Sequence, residues 1–381
     1  MRMPITGKEP VNSSMIPAKP SSRGTEAPPG QQRKRRPVFI FLIPLVIAIL
    51  LAGWQVLSHR DSTDPTIAGR PLSNPQTHLH TVVPGGKAGV IYLGTHFGMF
   101  TSTDDGQTWP QPRGVLNRLM VTVIAVNPKD ARSLALLGVP SVSGGDPAGV
   151  YFSADGGSTW SLRRPSGVSA SAYPFTVRAG SATAGHFYAF YLYHGWFETR
   201  DLGLHWRPLS ASPLPNTQGQ ELLTFPGDPA HLLLGGNAGL FESRDDGAHW
   251  STISAVQGSV QELAASQDTP ARIFCATDQG LYTWRDGTAQ ITTLATPTTT
   301  PFSQLISDAT GSVLYGLTGR DLWYSTDGGK SWQHRWRFNR SDLVALVMDP
   351  QHPTRLYAGF FLPATVLTSS DGGLSWHILT D

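Results

Sequence analysis

Residues 369–376 read Ser-Ser-Asp-Gly-Gly-Leu-Ser-Trp, and the same grammar, S/T-x-D-x-G-x-x-W, occurs five more times upstream. The copies are Ser102–Trp109 (STDDGQTW), Ser153–Trp160 (SADGGSTW), Thr199–Trp206 (TRDLGLHW), Ser243–Trp250 (SRDDGAHW) and Ser325–Trp332 (STDGGKSW). Their starts lie 51, 46, 44, 82 and 44 residues apart, so the longest step holds two units. A worn copy at Trp284-Arg285-Asp286-Gly287 fills that step, with Ile291 in place of the closing Trp. Self-similarity at this period marks a repeat architecture.

Working outward from each box, the chain repeats a β-rich run, a turn that often contains Pro, a second run, a Gly-bounded loop and a third run. Leu343–Met348, Asp349-Pro350 and Leu356–Gly359 precede the last box much as Val121–Val126, Asn127-Pro128 and Leu134–Leu137 precede the second. Four strands in about 45 residues make a propeller blade. The expected fold is therefore all-β, a seven-bladed β-propeller of four-stranded blades over residues 78–381. Forty Gly, 30 Pro and 15% charged residues suit many short strands and tight turns.

In each box the Asp (Asp104, Asp155, Asp201, Asp245, Asp286, Asp327, Asp371) is expected to accept hydrogen bonds from turn amides, and Gly to supply a positive φ. The Trp residues (Trp109, Trp160, Trp206, Trp250, Trp332, Trp376) are expected to pack against the blade. These roles are structural, not catalytic. Cys275, the only cysteine, sits in Ile-Phe-Cys-Ala and reads as a buried core residue, so no disulfide within the chain is possible.

The N-terminal third of a hundred residues reads differently. Residues 1–36 hold eight Lys/Arg against two Glu, while the rest of the chain holds 21 Lys/Arg against 25 Asp/Glu. The folded part is thus mildly acidic and offers no basic footprint for nucleic acid. From Pro37 to Ser58 there is no charge, and residues 38–57 are long enough to cross a hydrocarbon core of about 30 Å. Arg33-Lys34-Arg35-Arg36 immediately before that run orients the N-terminus to the cytoplasm. We expect a disordered basic cytoplasmic tail (1–36), an uncleaved transmembrane signal-anchor helix (37–57), a linker (58–77) and an extracytoplasmic propeller.

The repeat resembles the Asp-box (BNR-type) propeller superfamily, which includes sialidases, xyloglucanases, sortilin-type receptors and the photosystem II stability/assembly factor family. About 300 residues carry the resemblance. It implies boxes between third and fourth strands, on the face away from the ligand site. A sialidase would need an arginine triad and a Tyr/Glu pair, but the Arg-Ile-Pro motif is missing and the propeller holds four Glu: Glu198, Glu221, Glu242 and Glu262. Glu198 and Glu242 occupy equivalent third-strand positions and read as repeat features. A xyloglucanase would need two propellers around its cleft, and no free pair of carboxylates at glycosidase separation is visible. The single seven-bladed propeller of the assembly-factor family is the best overall match.

Strand 2–3 loops and inter-blade loops share the face opposite the boxes, where binding is expected. The candidates there are His96, Arg118, Arg163, Arg164, Tyr193, His194, Arg320 and Arg340, a set suited to an acidic or aromatic partner. The 12 His show no zinc-ligand spacing: His205 and His249 fill a box position and His78/His80 alternate along a strand. No phosphate-binding glycine motif appears in a strand-to-helix context. The sequence thus points to no cofactor and no metal. It predicts a non-enzymatic extracytoplasmic binding or assembly scaffold for a protein or glycan, with a cell-surface glycoside hydrolase as the alternative.

Overall fold

The computed structural model describes residues 71–141, 147–210, 212, 214 and 221–380. The expected tail, anchor and most of the linker lie outside the described residues. Among those described, no helix is long and apolar enough to cross a membrane. Seven antiparallel sheets follow one another in chain order, each with its strands in sequence. The first strands line the central axis: Leu79–Pro84, Leu119–Val126, Pro174–Ala179, Glu221–Phe225, Val260–Ala265, Gln304–Ser307 and Leu343–Asp349.

Among the described residues six blades have four strands, and the first has three. The expectation of four in every blade fails there for a readable reason. In blade 2, Ser161 and Arg163 of the fourth strand pair with Phe152 and Val150. Counting from the box Trp, blade 1 has Pro110 and Pro112 in those places, and proline has no N–H to give a ladder. The chain instead enters a 3-10 turn at Gly114–Arg118. A groove of about 500 Å³ remains, lined by Met99, Thr101, Pro112 and Trp160.

Second strands are sandwiched between neighbouring blades and read as continuous apolar runs rather than alternating ones. Phe187–Tyr191 (FYAFY) is buried throughout. Cys275 lies in such a strand, fully buried, and burial pushes its thiol up to about 12. The core of the described residues is divided into seven inter-blade clusters, one per junction, and a small eighth within blade 2 around Met120, Leu137 and Val139. Every intact box Trp packs into the junction with the preceding blade, and Ile291 takes that place in blade 5.

Among the described residues the ring closes without exchanging a strand. Blade 7 is continuous from Leu343 to Ile378. At the seam, Leu79 N–H donates to Phe361 O (2.9 Å), Ala364 N–H to Thr77 O (2.8 Å) and Trp109 Nε1–H to Leu379 O (3.4 Å). Arg355 pairs with Asp105 at 2.6 Å.

Candidate functional site

The box turns occupy one face, and their chemistry is local. Ser102 Oγ accepts from Gly106 N–H (2.8 Å) and donates to Asp104 Oδ1 (2.7 Å). Asp104 then accepts from Thr108 N–H (3.0 Å) and Thr108 Oγ1 (2.6 Å). Side-chain bonds from Thr108 and Ser102 hold its carboxyl down at about 2. The same set recurs at Asp155, Asp327 and Asp371 with Thr159, Ser331 and Ser375 as donors. In the boxes of Asp201 and Asp245 the donor is Nδ1 of His205 and His249, each at 2.6 Å. These two histidines replace a hydroxyl, so the position before Trp is not free to vary.

The worn box differs. Asp286 N–H donates to Ala271 O, the bond that the fourth box residue makes in other blades, as Asp246 does to Ala230 O. Its carboxylate therefore points at blade 4, where it meets Arg244 (2.7 Å) and His231 Nδ1 (3.3 Å). Asp286 is an inter-blade partner more than a cap for its own turn.

Two such inter-blade clusters exist among the described residues, and the sequence concealed both. His186, Glu198 and Asp246 form one; His231, Glu242 and Asp286 form the other. Each His is fully buried at the box end of a second strand. The ligand atoms of each cluster lie within 4.8 Å of one another, the spacing a metal needs. The charge balance argues against one. Arg200 and Arg207 both bind Glu198 and Asp246. Arg244 bridges Glu242 and Asp286, at 2.7 Å from each. A dication would have to displace these guanidinium groups, so the clusters act as ionic locks between blades. The only advance signal was the pair of third-strand glutamates.

The opposite face carries the loops, and the eight candidate residues are distributed rather than gathered. Tyr193 and His194 form the tip of a blade 3 turn, where Tyr193 is 70% exposed at φ 65°. A bulky residue in the left-handed region costs on the order of 1–3 kcal/mol and is held there by its surroundings. Tyr173, 41% exposed, stands alongside, its carbonyl accepting from Leu192 N–H. Arg164 donates to Ala148 O (2.8 Å) and pins the neighbouring loop. Arg340 binds Asp342, Leu362 O and Thr365, and Arg320 reaches Asn339 O. Arg118 ends the 3-10 turn, and its carbonyl accepts from Ser141 N–H. The stem of Arg163 instead packs beside Gly203 in the next blade's box turn, towards the other face. His96 joins His78 and Phe361 at the seam.

The channel wall holds another carboxylate pair. Arg178 grips Glu221 with contacts of 2.6 and 2.9 Å. Glu262, on the next first strand, is pushed well above the usual carboxylate range by burial and by the charge of Glu221. The remaining described carboxylates of the loop face are engaged: Asp278 by Ser259 N–H, Asp321 by Arg337 and His334, Asp342 by Arg340.

Seven blades in one ring, each intact box closed by the same Ser/Thr–Asp–Gly bonds, decide the architecture. The chain is a seven-bladed Asp-box propeller. The BNR/Asp-box repeat model matches residues 323–334 of this propeller. A search of curated proteins returned no match. Among solved structures, the Asp-box propeller is similar to YCF48 from Cyanidioschyzon merolae, with TM-score 0.59 and 14% identity over 79% of this chain and 98% of that one. It is also similar to a YCF48 bound to D1 peptide, with TM-score 0.51 and 17% identity over 68% and 82%. An ancestral GH74 enzyme gives TM-score 0.58 and 16% identity over 82% of this chain and 47% of that one. The propeller spans about half of that enzyme's length. At these identities the likeness is one of fold.

Proposed function

We propose that this propeller is a non-enzymatic binding scaffold that docks a protein segment on its loop face. The observation that carries the reading is Tyr193, a large aromatic held exposed in a strained turn conformation with Tyr173 beside it. Aromatic side chains of this kind anchor interfaces because they bury much area for little lost freedom. The described carboxylates of that face are tied into ion pairs and turns, apart from Glu262. The peptide-bound YCF48 structure supports the same choice by analogy of fold.

Changing Tyr193 and Tyr173 together to alanine is expected to weaken an isolated partner by about tenfold or more in surface plasmon resonance. Leu204→Ala, an exposed change in a box turn, should leave the affinity alone. The opposite pattern would place the docking surface on the box face.

A second reading is favoured by Glu221 and Glu262, because Arg178 grips the first carboxylate while burial and the charge of Glu221 raise the second well above the usual range, an asymmetry of the kind a glycosidase's carboxyl pair uses. Hydrolysis of a glucan or sialoside panel that Glu262→Gln abolishes would replace the scaffold reading. We further propose that the propeller lies outside the cytoplasm on an anchor at residues 38–57, supported by the uncharged run and the basic cluster before it. Protease added to intact cells should then digest the propeller. Its full protection until lysis would sink the topology.

A further inference from the structure

The seam between blades 7 and 1 holds a cluster that neither the box chemistry nor the docking surface uses. His78 precedes the first strand of blade 1, His80 lies within that strand, and His96 lies in the turn between its second and third strands. The His78 and His96 rings are 5.4 Å apart, centre to centre. Phe361 of blade 7 stacks on His78 at 4.7 Å and meets His80 edge-on at 5.8 Å. Met120, at the start of blade 2's first strand and almost fully buried, brings its Sδ within 3.2 Å of His96 Nδ1. Three blades thus contribute to one spot at the mouth of the channel.

The donor set has no built-in partner. Both ring nitrogens of His80 are buried and have no hydrogen-bond partner among the described residues. A lone polar group without a partner costs about 1–3 kcal/mol, and an imidazole can meet that need by binding a metal. Among the described residues no ion pair ties any of the three histidines to a carboxylate. This contrasts with the two His–Glu–Asp clusters, which arginines already neutralise.

We propose that His78, His80, His96 and Met120 form a copper(I) site at the loop-face mouth of the central channel. Thioether is a soft donor and imidazole a borderline one, both neutral; together they suit cuprous copper and offer nothing to magnesium or calcium, which take oxygen. Two imidazoles on one tetrahedral ion at a metal–nitrogen distance of about 2.0–2.1 Å stand about 5 Å apart between ring centres, which the His78/His96 pair already matches. The four donors are looser than the His–Glu–Asp clusters, which alone among the described residues gather three His or carboxylate ligand atoms within 4.8 Å. Side-chain rotation on binding closes the difference. The free histidines are ready for it at neutral pH. Burial, with repulsion from neighbouring imidazoles, lowers His80 to about 3 and His96 to about 4, and burial lowers His78. Each therefore keeps a lone pair for the ion.

The full-length protein, reduced and kept anaerobic, is titrated with copper(I) in competition with bicinchoninate. One equivalent should bind. His96→Ala and Met120→Leu should each weaken binding by at least about tenfold, the loss that even an outer contact of a metal site commonly produces. His352→Ala, at an exposed histidine on the box side, should bind as the parent does. Met120→Leu preserves volume and therefore keeps the test open if His96→Ala does not fold. X-ray absorption of the copper form should show a sulfur scatterer that Met120→Leu removes. Failure to compete with bicinchoninate, unchanged affinity in Met120→Leu, or a spectrum without sulfur would each overturn the site. Zinc(II) binding with equal strength, indifferent to Met120→Leu, would also overturn it.

Discussion

Glu198→Ala is expected to lower the unfolding free energy by about 3 kcal/mol, the lower end of what breaking a buried ion pair costs. Glu198 is 3% exposed and is surrounded by Arg200 Nε at 2.6 Å, Arg207 Nε at 3.0 Å and His186 Nε2 at 3.0 Å. The His186 contact is short but off the angle of a good hydrogen bond, since that nitrogen has no such partner by geometry. The arginines therefore carry most of the effect. Both are nearly half exposed and can turn to water in the variant, which keeps the loss at the low end.

Acid should reproduce the same loss. Burial alone would raise Glu198, but the close contact of His186 and the bonds from Arg200 and Arg207 overcome it and hold the carboxyl at about 2, against an ordinary 4.5. A depressed carboxyl contributes stability that is complete above the unfolded value and disappears as pH falls through the folded one. The thermal midpoint should thus be flat above about pH 5 and fall steeply from pH 4 to 2, more gently in Glu198→Ala. Asp246, raised by burial and by the Glu198 charge, acts in the opposite sense and softens the slope. Chemical denaturation and calorimetry across that range check both statements. Equal acid sensitivity in parent and variant would remove Glu198 from the account.

Trp250→Ala should cost about 3–5 kcal/mol, the range for deleting a large buried aromatic. Its ring fills the junction of blades 3 and 4 with Leu209, Phe241 and Trp196, and its Nε1–H donates to Gly247 O at 3.2 Å. Asp245→Ala in the same box should cost less, because that carboxylate is 45% exposed and its partners can turn to water. Denaturant midpoints of the two variants decide the order. A larger loss from Asp245→Ala would show that the turn, not the junction, limits stability.

The boxes were legible because turn chemistry is written in adjacent residues: Ser, Asp, Gly and the donor before Trp meet within eight positions. The missing fourth strand of blade 1 has its signal in Pro110 and Pro112, which a repeat count does not register. Inter-blade chemistry was not legible in the same way. His186 finds Asp246 from 60 residues away, and Arg355 finds Asp105 from 250. Only the ring brings those partners together. The loop-face candidates fall between the two cases. Topology placed their loops on one face, but side-chain pairing turned Arg164 and Arg340 into loop fasteners and sent Arg163 towards the boxes.

Closure without a shared strand among the described residues gives the ring a property beyond stability. The seam of blades 7 and 1 uses kinds of contact found at other junctions: an apolar cluster, a box Trp, and an arginine reaching the next box as Arg200 does between blades 3 and 4. No junction is privileged as the beginning. The order of blades in space is thus independent of where the chain happens to be opened, and a gene rearranged to start one or two blades later would encode the same set of seven junctions.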